Sequence, residues 1–336
     1  MLKIVNHNDK TFYLESAAYQ HHPSDIEHIK ANGKTQESMY LVVRSLKINN
    51  EKIDYEIQER DILKIGRVKF AVKEIGYSNQ PMEVDTQNKE EKGHSANSVA
   101  ADINEEEFEE FQEVPGVFEN NAETDPECKC RFCWESIATP ENPLLGTCKC
   151  TGTVGKIHYN CLSAWLQSRQ QSKTSVNFST YFWKAFQCEI CTVAYPLMMK
   201  CNGKNFNLVK YEKPQGDYMV LESLSQEKNT SRIIHIIRPS ATKTVFKLGR
   251  GHESDLRIND ISVSRCHTKI KFERGKFLLE DNQSKFGTLV LVKQRTPLLP
   301  GYNKAVQVGR TVINFSVKHL QKPDPNATGA SAMMAA

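Results

Sequence analysis

Eight Cys and His residues in close pairs between residues 130 and 191, a C-terminal third of short strands separated by turns, and a stretch of one-sided acidic charge predict a multidomain chain. The expected order is a β-rich N-terminal segment (1–76), an acidic disordered linker (77–127), a small cross-braced finger (128–200), an all-β sandwich (214–320) and a disordered tail (321–336). No apolar run in the sequence approaches about 18 residues, so no membrane span is expected.

Residues 1–76 read as strands, with LVVRSLKI, EKIDYEI and the pair DILKIG and KFAVKEI. That pair echoes KAVQVG and NFSVKHL near the other end of the chain, each centred on a Gly-Arg step, Gly66-Arg67 and Gly309-Arg310. A shared hairpin pattern alone also produces such an echo. Residues 78–127 hold 15 acidic and 2 basic residues and few large apolar groups, the composition of a self-repelling flexible linker. Within it, INEEEFEEFQEV places Ile103, Phe108, Phe111 and Val114 where a brief helix would dock on a basic partner, although solvated disorder is the expectation.

The finger is the sharpest signal. Cys130, Cys133, Cys148, Cys150, His158, Cys161, Cys188 and Cys191 are separated by 2, 14, 1, 7, 2, 26 and 2 residues. Zinc takes four thiolate or imidazole ligands, so eight ligands in four pairs make two closed structural Zn2+ sites with no catalytic position. Sequential and interleaved pairings both satisfy the count, and the two long gaps favour interleaving. Cys130, Cys133, His158 and Cys161 then hold one ion, and Cys148, Cys150, Cys188 and Cys191 the other. A module this short buries too little apolar surface to fold alone, and structural zinc contributes roughly 10–16 kcal/mol in comparable fingers. Cys128 is set aside because its gap to Cys130 is one residue, and Cys201 and Cys266 read as ordinary thiols. Zinc thiolates require reducing surroundings and no secretory signal opens the chain, so an intracellular soluble protein of cytoplasm or nucleus is expected.

The ligand order of four Cys, one His and three Cys, the Cys148-Lys149-Cys150 step and the string CKCTGTVGKIHYNCLSAWL resemble the RING-CH variant of RING fingers. The resemblance implies a ubiquitin ligase that holds a ubiquitin-conjugating enzyme beside its substrate and forms no covalent intermediate of its own. Phe132, Trp165 and Ile190 match the apolar surface that grips the conjugating enzyme. Two positions depart from the pattern: Thr192 follows the last ligand where active RING domains often carry a basic residue, and Glu189 stands where a proline is common. The alternative for this unit is a PHD-type finger, which shares the ligand order and reads histone tails.

From about Asp217 to Leu320, RIIHII, TVFKLG, DLRI, HTKIKFERGKFLLE, FGTLVLV and KAVQVGRTVINFSV read as strands of a sandwich of antiparallel sheets. KLGRGHESDLRINDISVSRCH followed by LEDNQSKFGT resembles the forkhead-associated (FHA) domain, which binds phosphothreonine peptides. The resemblance assigns the phosphate grip to Arg250 and Ser264, flanking positions to Arg265 and Lys285, loop shaping to Gly287 and Thr288, and a loop-tying buried role to His267. A guanidinium fork and a hydroxyl suit a dianionic phosphate. One position departs: the asparagine that bonds the peptide backbone is Phe286. Residues 217–320 carry 18 Lys or Arg against 9 Asp or Glu, which favours an anionic partner, but base-stacking aromatics are not interleaved with them, so nucleic acid is not the expected one. With no counterpart of the Ser264 and His267 loop, residues 1–76 read as degenerate FHA-like or as a companion sandwich. The expected function is phosphorylation-directed ubiquitin ligation; the alternative is a non-catalytic scaffold that binds phosphoproteins.

Overall fold

The computed structural model describes residues 2–7, 11–16, 38–78, 111–117, 129–224, 231–293 and 296–317. Cys128, Ile103, Phe108, most of the acidic linker and the tail lie outside the described residues.

The N-terminal segment supplies β1 (Met39–Ile48), β2 (Tyr55–Glu56), β3 (Ile62–Ile65) and β4 (Val68–Gly76). Their alternation is that of strands with an apolar face: Leu41, Val43, Leu63, Ile65, Phe70 and Val72 all enter one core. In the finger region, β5 (Phe111–Glu113) precedes α1 (Tyr159–Ser168), the hairpin β6 (Gln171–Thr174) and β7 (Phe178–Trp183), and β8 (Met198–Cys201). The C-terminal part adds β9 (Tyr218–Leu224), β10 (Arg232–Ile237), β11 (Val245–Gly249), β12 (Leu256–Arg257), β13 (Thr268–Glu273), β14 (Lys276–Asp281), β15 (Thr288–Leu291), β16 (Tyr302–Val308) and β17 (Thr311–Ser316).

Two sheets result. The larger runs β6-β7-β10-β9-β4-β3-β15-β1-β16-β17 and the smaller β12-β11-β13-β14-β2. The sandwich thus draws on both ends of the described chain. β4 pairs antiparallel with β9, with Gly76 opposite Tyr218, and the finger lies in the connection between these neighbours. β2 completes the smaller sheet beside β14. Of the two echoing hairpins, β3-β4 lies in the middle of the larger sheet, whereas β16-β17 ends it beyond β1, with Val306 in the sandwich core but Val312 and Ile313 exposed. Composition explains the choice. Burying β17 would desolvate Asn314 and Ser316, whereas Phe70-Ala71-Val72 of β4 needs no polar partners.

Strands β9 and β10 are buried on both faces. Met219 and Leu221 of β9 point into the sandwich core, while Tyr218 and Val220 belong to the finger core. In β10, Ile237 joins the sandwich and Ile234 and Ile236 join the finger. That is why YMVL and IIHII read as continuous apolar runs rather than as alternating ones. The long gap between Cys161 and Cys188 holds α1 and the β6-β7 hairpin, and β7 pairs along its whole length with β10. The finger is therefore bolted to the sheet.

Phe111 and Val114, read as positions of a short helix in a disordered stretch, depart from that reading. Residues 111–113 form β5, parallel to β8, and Val114 is buried, its N–H donating to the Lys200 carbonyl at 3.0 Å. Pro115 stops a helix there, and the finger's strand supplies the backbone partners that an isolated segment lacks.

Because the two cores share β9 and β10, the finger and the sandwich are expected to unfold together. Ile236→Ala, at a fully buried position, should cost about 2–5 kcal/mol. In a denaturant titration, zinc release to a chromogenic chelator and loss of the β signal in circular dichroism should move together to lower denaturant. Two separated transitions would contradict the shared core.

Candidate metal centres and loop site

Two turns of the same construction carry the outer ligand pairs. In the first, the Cys130 amide donates to the Glu135 carbonyl at 2.9 Å, the Trp134 amide to the Cys130 carbonyl at 2.9 Å, and the Phe132 amide to the Cys130 Sγ at 3.4 Å. In the second, Cys188 bonds Val193 at 2.9 Å, Thr192 bonds Cys188 at 3.0 Å and the Ile190 amide points to the Cys188 Sγ at 3.4 Å. Trp134 and Thr192 take the left-handed conformation in the two turns, with φ of 65° and 58°. Phe132 and Ile190 are therefore structural equivalents. Thr192, at the position where a basic residue was looked for, is the residue that closes its turn.

The ligands gather in the interleaved pairing. Cys130, Cys133, His158 and Cys161 form one group and Cys148, Cys150, Cys188 and Cys191 the other, the ligand atoms of each lying within 4.8 Å of one another. α1 presents Cys161, anchored by buried Leu162 and Leu166. His158 precedes that helix; its Nδ1 lies 3.2 Å from the Cys133 Sγ, and its Nε2–H donates to the Ile137 carbonyl at 2.8 Å, which fixes the ring with Nδ1 free for a metal.

The donor chemistry fits two zinc ions. The three thiols of the first group and the four of the second are too close to ionise together without a cation. Burial first, and neighbouring thiols next, push Cys150 and Cys161 up to about 12. Cys188 goes the other way: burial opposes ionisation, but the amides of Cys191 and Ile190 and the Arg131 guanidinium outweigh it and bring it to about 6. A divalent ion removes the conflict by taking every cysteine of its group as a thiolate, three beside His158 in the first and four in the second.

Arg131, which the sequence reading passed over, is the link between the centres. It lies between two ligands of the first group, yet its side chain, 5% exposed, reaches the second. Nη2 points at the Cys188 Sγ at 3.6 Å and donates to the Tyr195 hydroxyl at 3.1 Å, while Nη1 donates to the Val154 carbonyl at 3.1 Å. Its pairing with Glu189 at 3.1 Å gives a structural place to the residue that stands where a proline is common. Four thiolates and one zinc carry a net charge of about −2, so a buried guanidinium is the appropriate counter-charge.

On the finger's surface, Phe132 and Trp165 stack with centroids 5.9 Å apart and an interplanar angle of 26°, and the Arg169 guanidinium lies 4.5 Å from the Trp165 ring centre. Ile190 is 55% exposed, and Trp134 and Ile137 are also exposed. The last two were not foreseen; their only signal in the sequence is their closeness to the first ligand pair.

At the end of the sandwich, three loops are tied together. The Arg250 amide donates to the Ser264 carbonyl at 2.9 Å and the Gly251 amide to the Arg265 carbonyl at 2.8 Å. A Cβ at Gly249 would stand 2.1 Å from the Arg265 carbonyl oxygen, so this approach requires glycine. The Lys285 amide donates to the Ser264 Oγ at 3.2 Å. His267, fully buried, accepts the Ser264 amide at Nδ1 (3.0 Å) and donates from Nε2 to the Gly287 carbonyl (3.2 Å). Burial lowers its pKa, and the neutral ring is the form this arrangement needs. Buried Asp281 accepts from the hydroxyls of Ser284 at 2.6 Å and Thr288 at 2.7 Å. Thr288, expected among the phosphopeptide-binding residues, is instead fully buried, its hydroxyl spent on Asp281. Arg250, Arg265 and Lys285 are exposed, as is Phe286 (54%).

Replacing Arg131 by Met keeps its bulk and removes its charge. The second centre should lose zinc affinity by roughly 10–100-fold, so that one of two ions leaves early in a chelator competition. Release of the second centre's ion at the same chelator concentration in variant and parent would refute this linking role.

The family model described as a RING-variant domain matches residues 130–191, and that described as an FHA domain matches residues 246–309. Among curated proteins, the chain is similar to E3 ubiquitin-protein ligase MARCHF7 of Rattus norvegicus, 26% identical over 43% of this chain and 22% of that protein. E3 ubiquitin-protein ligase marc-3 of Caenorhabditis elegans is 33% identical over 31% of this chain and 20% of its own. E3 ubiquitin-protein ligase MARCHF3 of Mus musculus is 46% identical over 13% and 19%. The chain spans about a fifth of the length of each of these relatives. No solved structure matches. Matched in both ligand-bearing regions, this protein joins a two-centre RING-variant zinc domain to an FHA domain.

Proposed function

We propose that the protein is a ubiquitin ligase that seats a ubiquitin-charged conjugating enzyme on Phe132, Trp165 and Ile190 while its FHA loops recruit threonine-phosphorylated proteins. The observation that carries this reading is the pair of equivalent turns, which put Phe132 and Ile190 at matching places in the two ligand loops, with Trp165 stacked on Phe132 and Ile190 exposed. Apolar and aromatic groups held rigidly at a surface are the usual anchors of a protein interface. Zinc in the two groups would hold the turns in register and offers no open coordination position.

In the recruitment site, the Arg250 guanidinium and the Ser264 hydroxyl take the phosphate, with Arg265 and Lys285 flanking it. Thr288 and His267 keep the loops in place. The shared strands β9 and β10 support presentation of the bound client in a fixed orientation to the conjugating enzyme, which raises its local concentration without a long search. Reduced thiolate ligands support a reducing compartment, cytoplasm or nucleus. Among the described residues no helix is long and apolar enough to cross a membrane. The scaffold alternative, with both modules only binding, differs in one respect: it makes no ubiquitin chains.

Two substitutions test the two halves. With activating enzyme, a panel of conjugating enzymes and ubiquitin, the zinc-loaded protein should build chains, and Trp165→Ala should cut the rate roughly 30-fold or more while zinc content stays at two. Equal rates would exclude this docking surface. Arg250→Ala should weaken phosphothreonine peptide binding by roughly 30-fold or more, and equal affinity for the unphosphorylated peptide in the parent protein would exclude recruitment by phosphate.

A further inference from the structure

The N-terminal segment touches two of the three loops of the recruitment site, and it does so with two arginines in different circumstances. The Arg67 amide donates to the Ser262 hydroxyl at 2.8 Å, and its guanidinium lies 3.4 Å from both oxygens of Asp260. That charge is spent on steadying the loop that carries Ser264. Arg44 is not engaged in this way. β1 pairs with β15, with Val42 opposite Leu289, so Arg44 falls beside Gly287 at the end of the ladder. Its Nη1 donates to the Ser284 carbonyl at 3.3 Å, and its Cζ and Nε lie 3.8 Å from where a Gly287 Cβ would stand. Among the described residues no carboxylate pairs with it, and the side chain is exposed.

The guanidinium therefore lies against the Ser284–Gly287 loop, whose Lys285 amide is bonded to the Ser264 hydroxyl. The same loop has lost its asparagine and presents Phe286 instead, with the Lys285 ammonium 5.5 Å from that ring. A planar cation with free donors beside a phosphate-binding loop is suited to a second anion, and its fork matches a carboxylate.

We propose that Arg44 selects for an acidic side chain near the phosphothreonine, so that the N-terminal segment, remote in sequence, sets the peptide preference of the FHA loops. This rests on the phosphothreonine reading of that site. It assigns segment 38–78 a part in recognition besides its part in the sheet.

The test uses the full zinc-loaded chain and fluorescence anisotropy with phosphothreonine peptides in which a single Glu, Ala or Lys is placed at each flanking position in turn. The unaltered protein should favour Glu at one position by roughly tenfold, the gain of a charged hydrogen bond. Arg44→Gln should erase that preference while the all-Ala phosphopeptide still binds, and Arg44→Glu should turn it toward Lys. Zinc content and melting temperature, read in parallel, show that the variants are folded. A preference for Glu that survives in both variants, or no flanking preference in the parent protein, overturns the assignment to Arg44 and leaves phosphate recognition standing. A parent protein that does not distinguish phosphorylated from unphosphorylated peptide overturns both.

Discussion

The architecture depends on two strands that have no solvent face. β9 and β10 carry Met219, Leu221 and Ile237 into the sandwich and Val220, Ile234 and Ile236 into the finger. Each of these side chains, once withdrawn from water, contributes on the order of 1.5–3 kcal/mol, and neither module can separate without exposing its half of them. A RING-variant finger is small enough that its metal usually has to stand in for a core. Here the neighbouring sheet extends that core, and the aromatic run before Cys188 is the connector, with Trp183 and Phe186 buried and β7 hydrogen-bonded along β10.

Within the finger, charge is the second constraint. Crowded thiols resist ionisation, as Cys150 and Cys161 show, and only a cation lets a tetrad exist as thiolates. Arg131 belongs by sequence to one centre and by contact to the other, so the crossed connectivity of the ligands is repeated by a crossed counter-charge. Glu189 then balances the guanidinium at the surface. The substitution that looked like a departure from the RING pattern is compensated a few ångströms away.

The recruitment end is organised differently, by uncharged or internally paired polar groups. His267 joins the loops at Ser264 and Gly287, and Asp281 gathers Ser284 and Thr288 beneath them. These buried groups are satisfied by one another, and the loop cations Arg250, Arg265 and Lys285 stay exposed. The N-terminal strands close this end too, through the Arg67 amide on Ser262 and Arg44 on Ser284, so the loops are braced from a part of the chain more than 190 residues away.

The ligand pairs, the FHA-like loops and the strand content were legible in the sequence because each is written in short range: close Cys spacing, turn residues, alternating apolar positions. The echo between the two Gly-Arg hairpins was legible as well. Which hairpin takes the middle of the larger sheet was not, since both satisfy the same local pattern and only the polarity of Asn314 and Ser316 against a finished core separates them. Nor could spacing reveal Arg131 as a link between centres, β5 as a strand, or Arg44 beside Gly287, because each is defined by a partner distant along the chain. The sequence by itself determined the metal chemistry and the presence of an FHA domain, since ligands and loops carry both locally. The tertiary structure alone decided that the two modules share strands and that the N-terminal segment completes the second, because burial of both faces of a strand depends on what is packed against it.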